Sequence, residues 1–252
     1  SSAISINTIF LKDFINEPNV LTRPEFLRLL SQTVYLIGVT GTHGKTSTTA
    51  LLAHIFKFNG VNISYIYGGV TSFNGIGGHY GDENLPLLLE TDEAFNTFKE
   101  LEINSLLITN IDHDHIDHFG SYTNLVEAFG TVITNVKDKC VINIDDTKLS
   151  TFLRPGDISY SSSKNSHYKI NFPNSFNVDK EDYTITTKLI GEHFISNIVG
   201  AIALANQNGI SIDQCLNAIK HFDGVKRRTE YIGDFNGTNF YDDYGHHPTE
   251  IK

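Results

Sequence analysis

The sequence predicts an α/β fold of the phosphate-loop type: a mostly parallel sheet flanked by helices, with a small antiparallel sheet on one flank. Three observations carry this expectation. An apolar run, Val34-Tyr35-Leu36-Ile37-Gly38-Val39, leads into Gly41-Thr42-His43-Gly44-Lys45-Thr46 and then into a helix-like segment from Ser47 to Phe58. Two further apolar runs, Leu87-Leu88-Leu89 and 103–108, alternate with helical patterns; strands apolar on both faces belong to parallel sheets covered on both sides. Between 157 and 190 the chain changes to Ser, Asn, Tyr, Ile and Thr in partial alternation, which suggests antiparallel strands at the flank.

The elements follow in order. Ser1-Ser2-Ala3-Ile4-Ser5 reads as a strand end, and 23–30 as a short helix with Pro24 in its first turn. In the helix after the loop, Leu51, Leu52, Ile55 and Phe56 recur at helical spacing, and Asn59-Gly60 supplies a left-handed stop. Ile63 to Tyr67 reads as a strand. Gly68 to Gly81 is rich in glycine and poor in core residues, and is expected to be a mobile surface loop. Leu125 to Val136 fits a helix, Cys140 to Ile144 a strand, and Phe194 to Ala205 a helix stopped by Asn208-Gly209. Ser211 reads as the N-cap of a helix reaching His221. Asn236-Gly237 between aromatic-bearing segments signals a hairpin. There is no internal repeat or low-complexity segment.

Composition narrows the functional classes. A chain of 252 residues is long enough for a sizeable core and one or two domains. A net charge of −10 argues against a general nucleic-acid or anionic-membrane surface, because phosphate backbones demand a basic face. Cys140 and Cys215 lie far apart and read as reduced thiols of a cytoplasmic protein. No apolar run reaches membrane-span length. The missing initiator Met leads to the expectation of a fragment or processed chain.

The chemistry-bearing residues cluster. In the loop, glycines let backbone N–H groups turn onto a phosphate, and the following helix presents its positive end. Lys45 can reach the outer phosphates, and the Thr46 hydroxyl can ligate Mg²⁺. The strict phosphate-loop pattern would place glycine where Val39 stands. Ligands of parallel sheets sit at the carboxyl ends of strands, and there the loop, Glu90 and the 110–120 segment converge. Glu90, ending a buried strand, suits a hard metal ion, whereas Asp92 and Glu93 read as a solvated helix start. The run Asp112-His113-Asp114-His115-Ile116-Asp117-His118 admits a zinc site, a Mg²⁺ site with one histidine beside a nucleotide, or a solvated loop. The absence of cysteine and the number of carboxylates count against zinc. Solvation fits His113 and His118, while His115 stays open between ligand and loop. Lys226-Arg227-Arg228 reads as a solvated turn or as an anion clamp. Spacing gives no role to Asp242-Asp243-Tyr244-Gly245-His246-His247-Pro248.

Taken together, Gly41–Thr46, Glu90-Thr91-Asp92-Glu93, Thr109-Asn110 with Asp114-His115-Ile116-Asp117, Gly191-Glu192-His193 with Asn197, Lys226–Arg228 and Asp242–Glu250 resemble the Mur ligase family of peptidoglycan-precursor enzymes. The His in the loop and the closing motif look most like members that join L-alanine to UDP-N-acetylmuramate. The resemblance implies the tail of a UDP-binding domain at 1–31, a central ATP-binding domain at 32–224, and the start of a C-terminal domain at 225–252. It implies cleavage of ATP, an acyl phosphate on the lactyl carboxylate and displacement by the amine, in the cytoplasm and without nucleic-acid or membrane partners. It implies that Gly41, Thr42, His43, Gly44, Lys45, Thr46 and Ser47 hold ATP phosphates. Thr46 and Glu90 would ligate one Mg²⁺, with Glu90 and His115 at a second. Asn197 would meet adenine, and Arg228 and Asp243 phosphate and ribose. Asn110, Tyr244 and His246 would lie on the substrate side, and Lys45, Glu90, His115 and Arg228 would be catalytic. Phe194 departs from the family, which usually has Asn there, and the segment after Glu93 is short. A tripeptide-recycling member and a non-catalytic nucleotide-binding homologue are the alternatives.

Overall fold

The computed structural model describes residues 20–114, 116–245 and 251, with the side chains of 94–96 and 117 outside that description. In chain order the elements are α1 (Arg23–Ser31), β1 (Leu36–Thr40), α2 (Lys45–Phe58), β2 (Ser64–Ile66), β3 (Gly78–His79), β4 (Leu87–Glu90), β5 (Ser105–Ile108), α3 (Ile116–Phe119), α4 (Tyr122–Asn135), β6 (Lys139–Asn143), β7 (Ile158–Ser161), β8 (Tyr168–Asn171), β9 (Ser175–Val178), β10 (Glu181–Thr184), α5 (Glu192–Gln207), α6 (Ile212–Ile219), β11 (Glu230–Phe235) and β12 (Thr238–Asp242). Ten strands form one sheet in the order β10-β9-β8-β7-β6-β5-β1-β4-β2-β3, and β11 and β12 form a separate hairpin. The pairings from β2 through β8 are parallel; β3, β9 and β10 run antiparallel to their neighbours.

The apolar strands are covered on both faces because successive side chains point opposite ways. Along β1, Leu36 enters one core while Ile37 and Val39 enter the other; along β5, Leu106 and Ile108 oppose Leu107. One core receives Leu52 of α2, Ile198 of α5 and Ile219 of α6; the other receives Leu27 of α1 and Leu125, Phe129 and Val132 of α4. The helices start where side chains satisfy their free amides. Thr22 and Glu25 form a capping box at α1, Ser211 and Gln214 another at α6, and Ser121 caps α4. Asn236 and Gly237 both have positive φ in the β11–β12 turn, as a tight hairpin requires. Among the described residues no helix is long and apolar enough to cross a membrane.

Two expectations change. The 68–81 segment is not a free loop: β3 pairs with β2, Thr71 bridges to Val225, and the Tyr67 amide donates to the Gly77 carbonyl at 2.7 Å. Its glycines serve close backbone packing, which composition alone reads as mobility. In the 157–190 stretch, β7 and β8 continue the parallel sheet and only β9 and β10 reverse. The strand end read at 1–5 lies outside the described residues.

One buried histidine gives this packing a pH dependence. His54 of α2 is buried among Phe58, Phe73 and Phe222 and its Nε2 lies 3.0 Å from the Ala218 carbonyl. Burial pulls its pKa below the ordinary 6.5, against the smaller pull of the Ala218 carbonyl and Asp223. The folded state therefore binds this proton less readily than the unfolded chain, and stability is lost as the pH falls below about 6.5. The difference in Tm between pH 7.5 and 5 should shrink in His54→Gln, measured by thermal melts of both proteins; an unchanged difference would remove His54 as its source.

Candidate active site

β1 lies between β4 and β5, so the carboxyl ends of these three strands meet where the chain crosses from one side of the sheet to the other, the expected place for a ligand crevice. The loop after β1 turns at Gly41, with φ +133°, and enters α2 through Gly44, with φ +81°. Gly44 is the N-cap of α2 and has no side chain to bond its first amides. The positive end of α2 and these amides are thus presented to an anion.

The loop is clasped from the β5 side. The amide of His43 donates to Asn110 Oδ1 at 2.8 Å, and Thr109 Oγ1 and Asn110 Nδ2 donate to the His43 carbonyl at 2.7 and 3.1 Å. The Asp112 amide donates to Thr42 Oγ1 at 2.9 Å, and His43 Nε2 lies 3.0 Å from Asp112 Oδ2. Asn143 of β6 extends the clasp, its Nδ2 donating to the Thr109 carbonyl at 2.9 Å.

On the β4 side, two carboxylates meet the loop's functional side chains. Thr46 Oγ1 donates to Glu90 Oε1 at 2.7 Å, and the Gly68 amide donates to Glu90 Oε2 at 2.6 Å. These adjacent hard oxygens are a donor set that suits Mg²⁺. Lys45 Nζ donates to the carbonyls of Gly41 at 2.6 Å and Thr42 at 3.1 Å and to Glu93 Oε1 at 2.9 Å. Glu93 is wholly buried, which corrects the solvated helix start expected there. A short 3-10 helix does begin at Ala94 with Glu93 as its N-cap, but the side chain turns inward to the lysine. Burial raises its carboxyl pKa, against the lowering effect of the Lys45 ammonium.

Beyond the loop opens a cleft of about 930 Å³. His43, Gly44, Ser47 and Asn110 line it together with Phe194, Asn197, Arg228 and Asp243. Asn197 packs so closely on the loop that a methyl group at Gly44 would lie 2.7 Å from its Nδ2. Asp243 accepts from the Thr229 amide at 2.6 Å and hydroxyl at 2.9 Å and from the Gly245 amide at 2.5 Å. Burial alone would raise the Asp243 pKa, but these hydrogen bonds and the Arg228 charge bring it below the usual carboxylate range. Tyr244 sits beneath both Arg227 and Arg228, with guanidinium-to-ring distances of 5.1 and 5.2 Å, the geometry of a cation–π contact.

The structure therefore gathers Gly41, Thr42, His43, Gly44, Lys45, Thr46, Ser47, Glu90, Asn110, Asn197, Arg228 and Asp243 around one loop and cleft, with Tyr244 beside it. His115 and His246 lie outside the described residues. His113 and His118 are exposed, as expected, with His113 stacked on Tyr122 at 3.9 Å. Among the described residues no group of three or more His, Cys, Asp or Glu is placed to hold a metal ion. Glu93 was missed: an acid three residues after a strand-ending acid looks like a solvated turn, and only burial distinguishes it. Asp112 was read only as part of a ligand-rich run, and its pairing with His43 depends on a contact 69 residues away in sequence.

If Glu90 shares a Mg²⁺ with Thr46, Glu90→Gln should raise the Mg²⁺ concentration needed for half-maximal ATP binding by about tenfold or more. Titration of Mg²⁺ at fixed ATP checks this; an unshifted curve would exclude Glu90 as a ligand.

This fold and cleft define the class: a phosphate-loop α/β domain. Residues 39–205 match the family model of the Mur ligase middle domain, and the chain belongs to that family. It is 33% identical to the UDP-N-acetylmuramate–L-alanine ligase of Rhizobium etli and 31% identical to that of Methylobacterium nodulans, the matches covering 92% of this chain and 54% of each relative. The chain thus spans about half the length of the curated relatives it matches. The crystal structure of the UDP-N-acetylmuramate-alanine ligase of Thermotoga maritima superposes with a TM-score of 0.78 at 29% identity, over 90% of this chain and 54% of that one. A murein peptide ligase from Psychrobacter arcticus shares the fold, with a TM-score of 0.70 at 24% identity, over 90% and 55% of the two chains.

Proposed function

We propose that this chain is the ATP-binding and carboxylate-activating core of an enzyme that joins L-alanine to the lactyl carboxylate of UDP-N-acetylmuramate. The observation that carries the reading is the convergence of Lys45, Thr46 and Glu90 on one glycine loop, opening into a cleft bordered by Arg228 and Asp243. One anion, the carboxylate, must attack another, the γ-phosphate, so positive charge has to be fixed before reaction. Lys45, the loop amides and Arg228 are suited to that task. Thr46 and Glu90 would hold the nucleotide-side Mg²⁺, which supplies further charge neutralisation when bound, and His115 with Glu90 would serve a second ion. Asn197 would meet the base and Asp243 the ribose, and Asn110, Tyr244 and His246 would serve the substrate side.

In this reading 1–31 is the tail of a UDP-binding domain, 32–224 the ATP-binding domain and 225–252 the start of a C-terminal domain, in a cytoplasmic enzyme of peptidoglycan synthesis. The relatives, named for the alanine reaction, support that substrate pair. The test is phosphate release from ATP by the full-length protein containing this chain, with UDP-N-acetylmuramate and either alanine, glycine, serine or the recycled tripeptide. Release dependent on alanine is expected. Release with the tripeptide alone would reassign the enzyme to recycling, and none with any acceptor would leave a nucleotide-binding homologue.

A further inference from the structure

The Lys45 ammonium has three hydrogens and meets three acceptors in this structure: the Gly41 and Thr42 carbonyls and Glu93 Oε1. Its hydrogen-bonding capacity is therefore used up within the protein. Two of the acceptors belong to the loop itself. The third is the carboxyl of Glu93, at 0% exposure and on the segment that follows β4, while the Lys45 side chain is 12% exposed. An ion pair this well buried is only weakly screened by water or salt, and an arriving phosphate can gain the ammonium only by taking the place of at least one of these acceptors.

We propose that Glu93 is a positioning residue for the Lys45 ammonium, so that a nucleoside polyphosphate binds by exchanging a phosphate oxygen for this carboxylate. The proposal rests on the reading of the cleft as a nucleotide site. Several features of the geometry favour exchange over a purely structural pair. Lys45 opens α2 directly after the N-cap Gly44 and immediately precedes Thr46, the residue bonded to Glu90, so the lysine belongs to the turn that presents the loop amides and not to the hydrophobic core. Its two carbonyl partners lie on the residues that form the cradle, so departure of the ammonium from Glu93 leaves it still tethered to the loop. Glu93, by contrast, is wholly buried on a separate segment of the chain. The carboxylate thus sets how strongly the ammonium is withheld from an incoming anion, and its strength tunes affinity for the polyphosphate.

The experiment is equilibrium titration of the chain with ATP in excess Mg²⁺, on wild type, Glu93→Gln, Glu93→Asp, Lys45→Ala and the double variant Lys45→Ala/Glu93→Gln, with thermal melts to show that each is folded. Glu93→Gln keeps the shape and a carbonyl acceptor but removes the charge, and should bind ATP about tenfold more tightly, the range of one charged hydrogen bond. Glu93→Asp draws the charge back by one methylene and should fall between. The gain should vanish when Lys45 is absent, because the carboxylate acts only through the ammonium. Equal or weaker binding by folded Glu93→Gln and Glu93→Asp, or a gain that persists without Lys45, would overturn the exchange. A wild-type chain that binds no ATP would overturn the nucleotide reading and this inference with it, a result distinct from binding that ignores Glu93.

Discussion

On the proposed function, Lys45→Ala in the full-length protein should lower ATP-dependent phosphate release by about a thousandfold, the scale of losing a preorganised charge at a transferring phosphoryl group. The same substitution should also cost stability, because it strands the wholly buried Glu93 carboxylate. Removing one partner of a buried ion pair costs about 3–5 kcal/mol, since the remaining charge is left uncompensated. The two effects can be separated. In Lys45→Ala/Glu93→Gln no charge is stranded, so the melting temperature should recover towards wild type while phosphate release stays lost. Release that survives in the folded double variant would remove Lys45 from the reaction; failure of the melting temperature to recover would show that the stability loss does not come from Glu93.

Gly41→Ala should damage the loop more than any other single added methyl. A Cβ at Gly41 would lie 2.1 Å from Thr109 Oγ1 and 3.0 Å from both the amide nitrogen and the carbonyl oxygen of Asn110, on a backbone with φ +133°. Thr109 and Asn110 cannot retreat freely, because they hold the His43 backbone and the Thr109 carbonyl accepts from Asn143. The expected cost is about 3 kcal/mol from strain and overpacking together, with nucleotide affinity lost as the cradle opens. Gly60→Ala is the control. Gly60 also has positive φ, at +77°, but nothing lies within 4 Å of the added carbon, so the cost should be about 1 kcal/mol with ATP binding unchanged. Chemical denaturation of both variants checks the ordering; equal losses would mean that the contact with the 109–110 segment carries no weight.

The frame of this fold was legible because its signals are local. Apolar runs, the glycine loop, the Ser211 cap and the Asn236-Gly237 turn each announce an element within a few residues, and each element formed where expected. Chain order also placed the loop, Glu90 and Asn110 at one end of the sheet, since parallel strands put their carboxyl ends together. What was not legible depends on partners distant in sequence. The 68–81 segment looks mobile by composition, yet its glycines permit backbone contacts with Tyr67 and Asn62 that no side chain would allow. Glu93 looks solvated by its acidic neighbours, yet it pairs with a lysine 48 residues earlier. The 157–184 strands share one texture, so nothing local marks where parallel pairing ends and antiparallel pairing begins.

The most direct measurement is a crystal structure of this chain with Mg²⁺ and a non-hydrolysable ATP analogue. The polyphosphate should lie on the amides of 41–46, with Mg²⁺ bonded to Thr46 Oγ1 and Glu90, Lys45 Nζ moved from Glu93 to a phosphate oxygen, and the base and ribose between Asn197 and Asp243. A polyphosphate bound elsewhere, with Thr46 and Glu90 still bonded only to each other, would contradict the account.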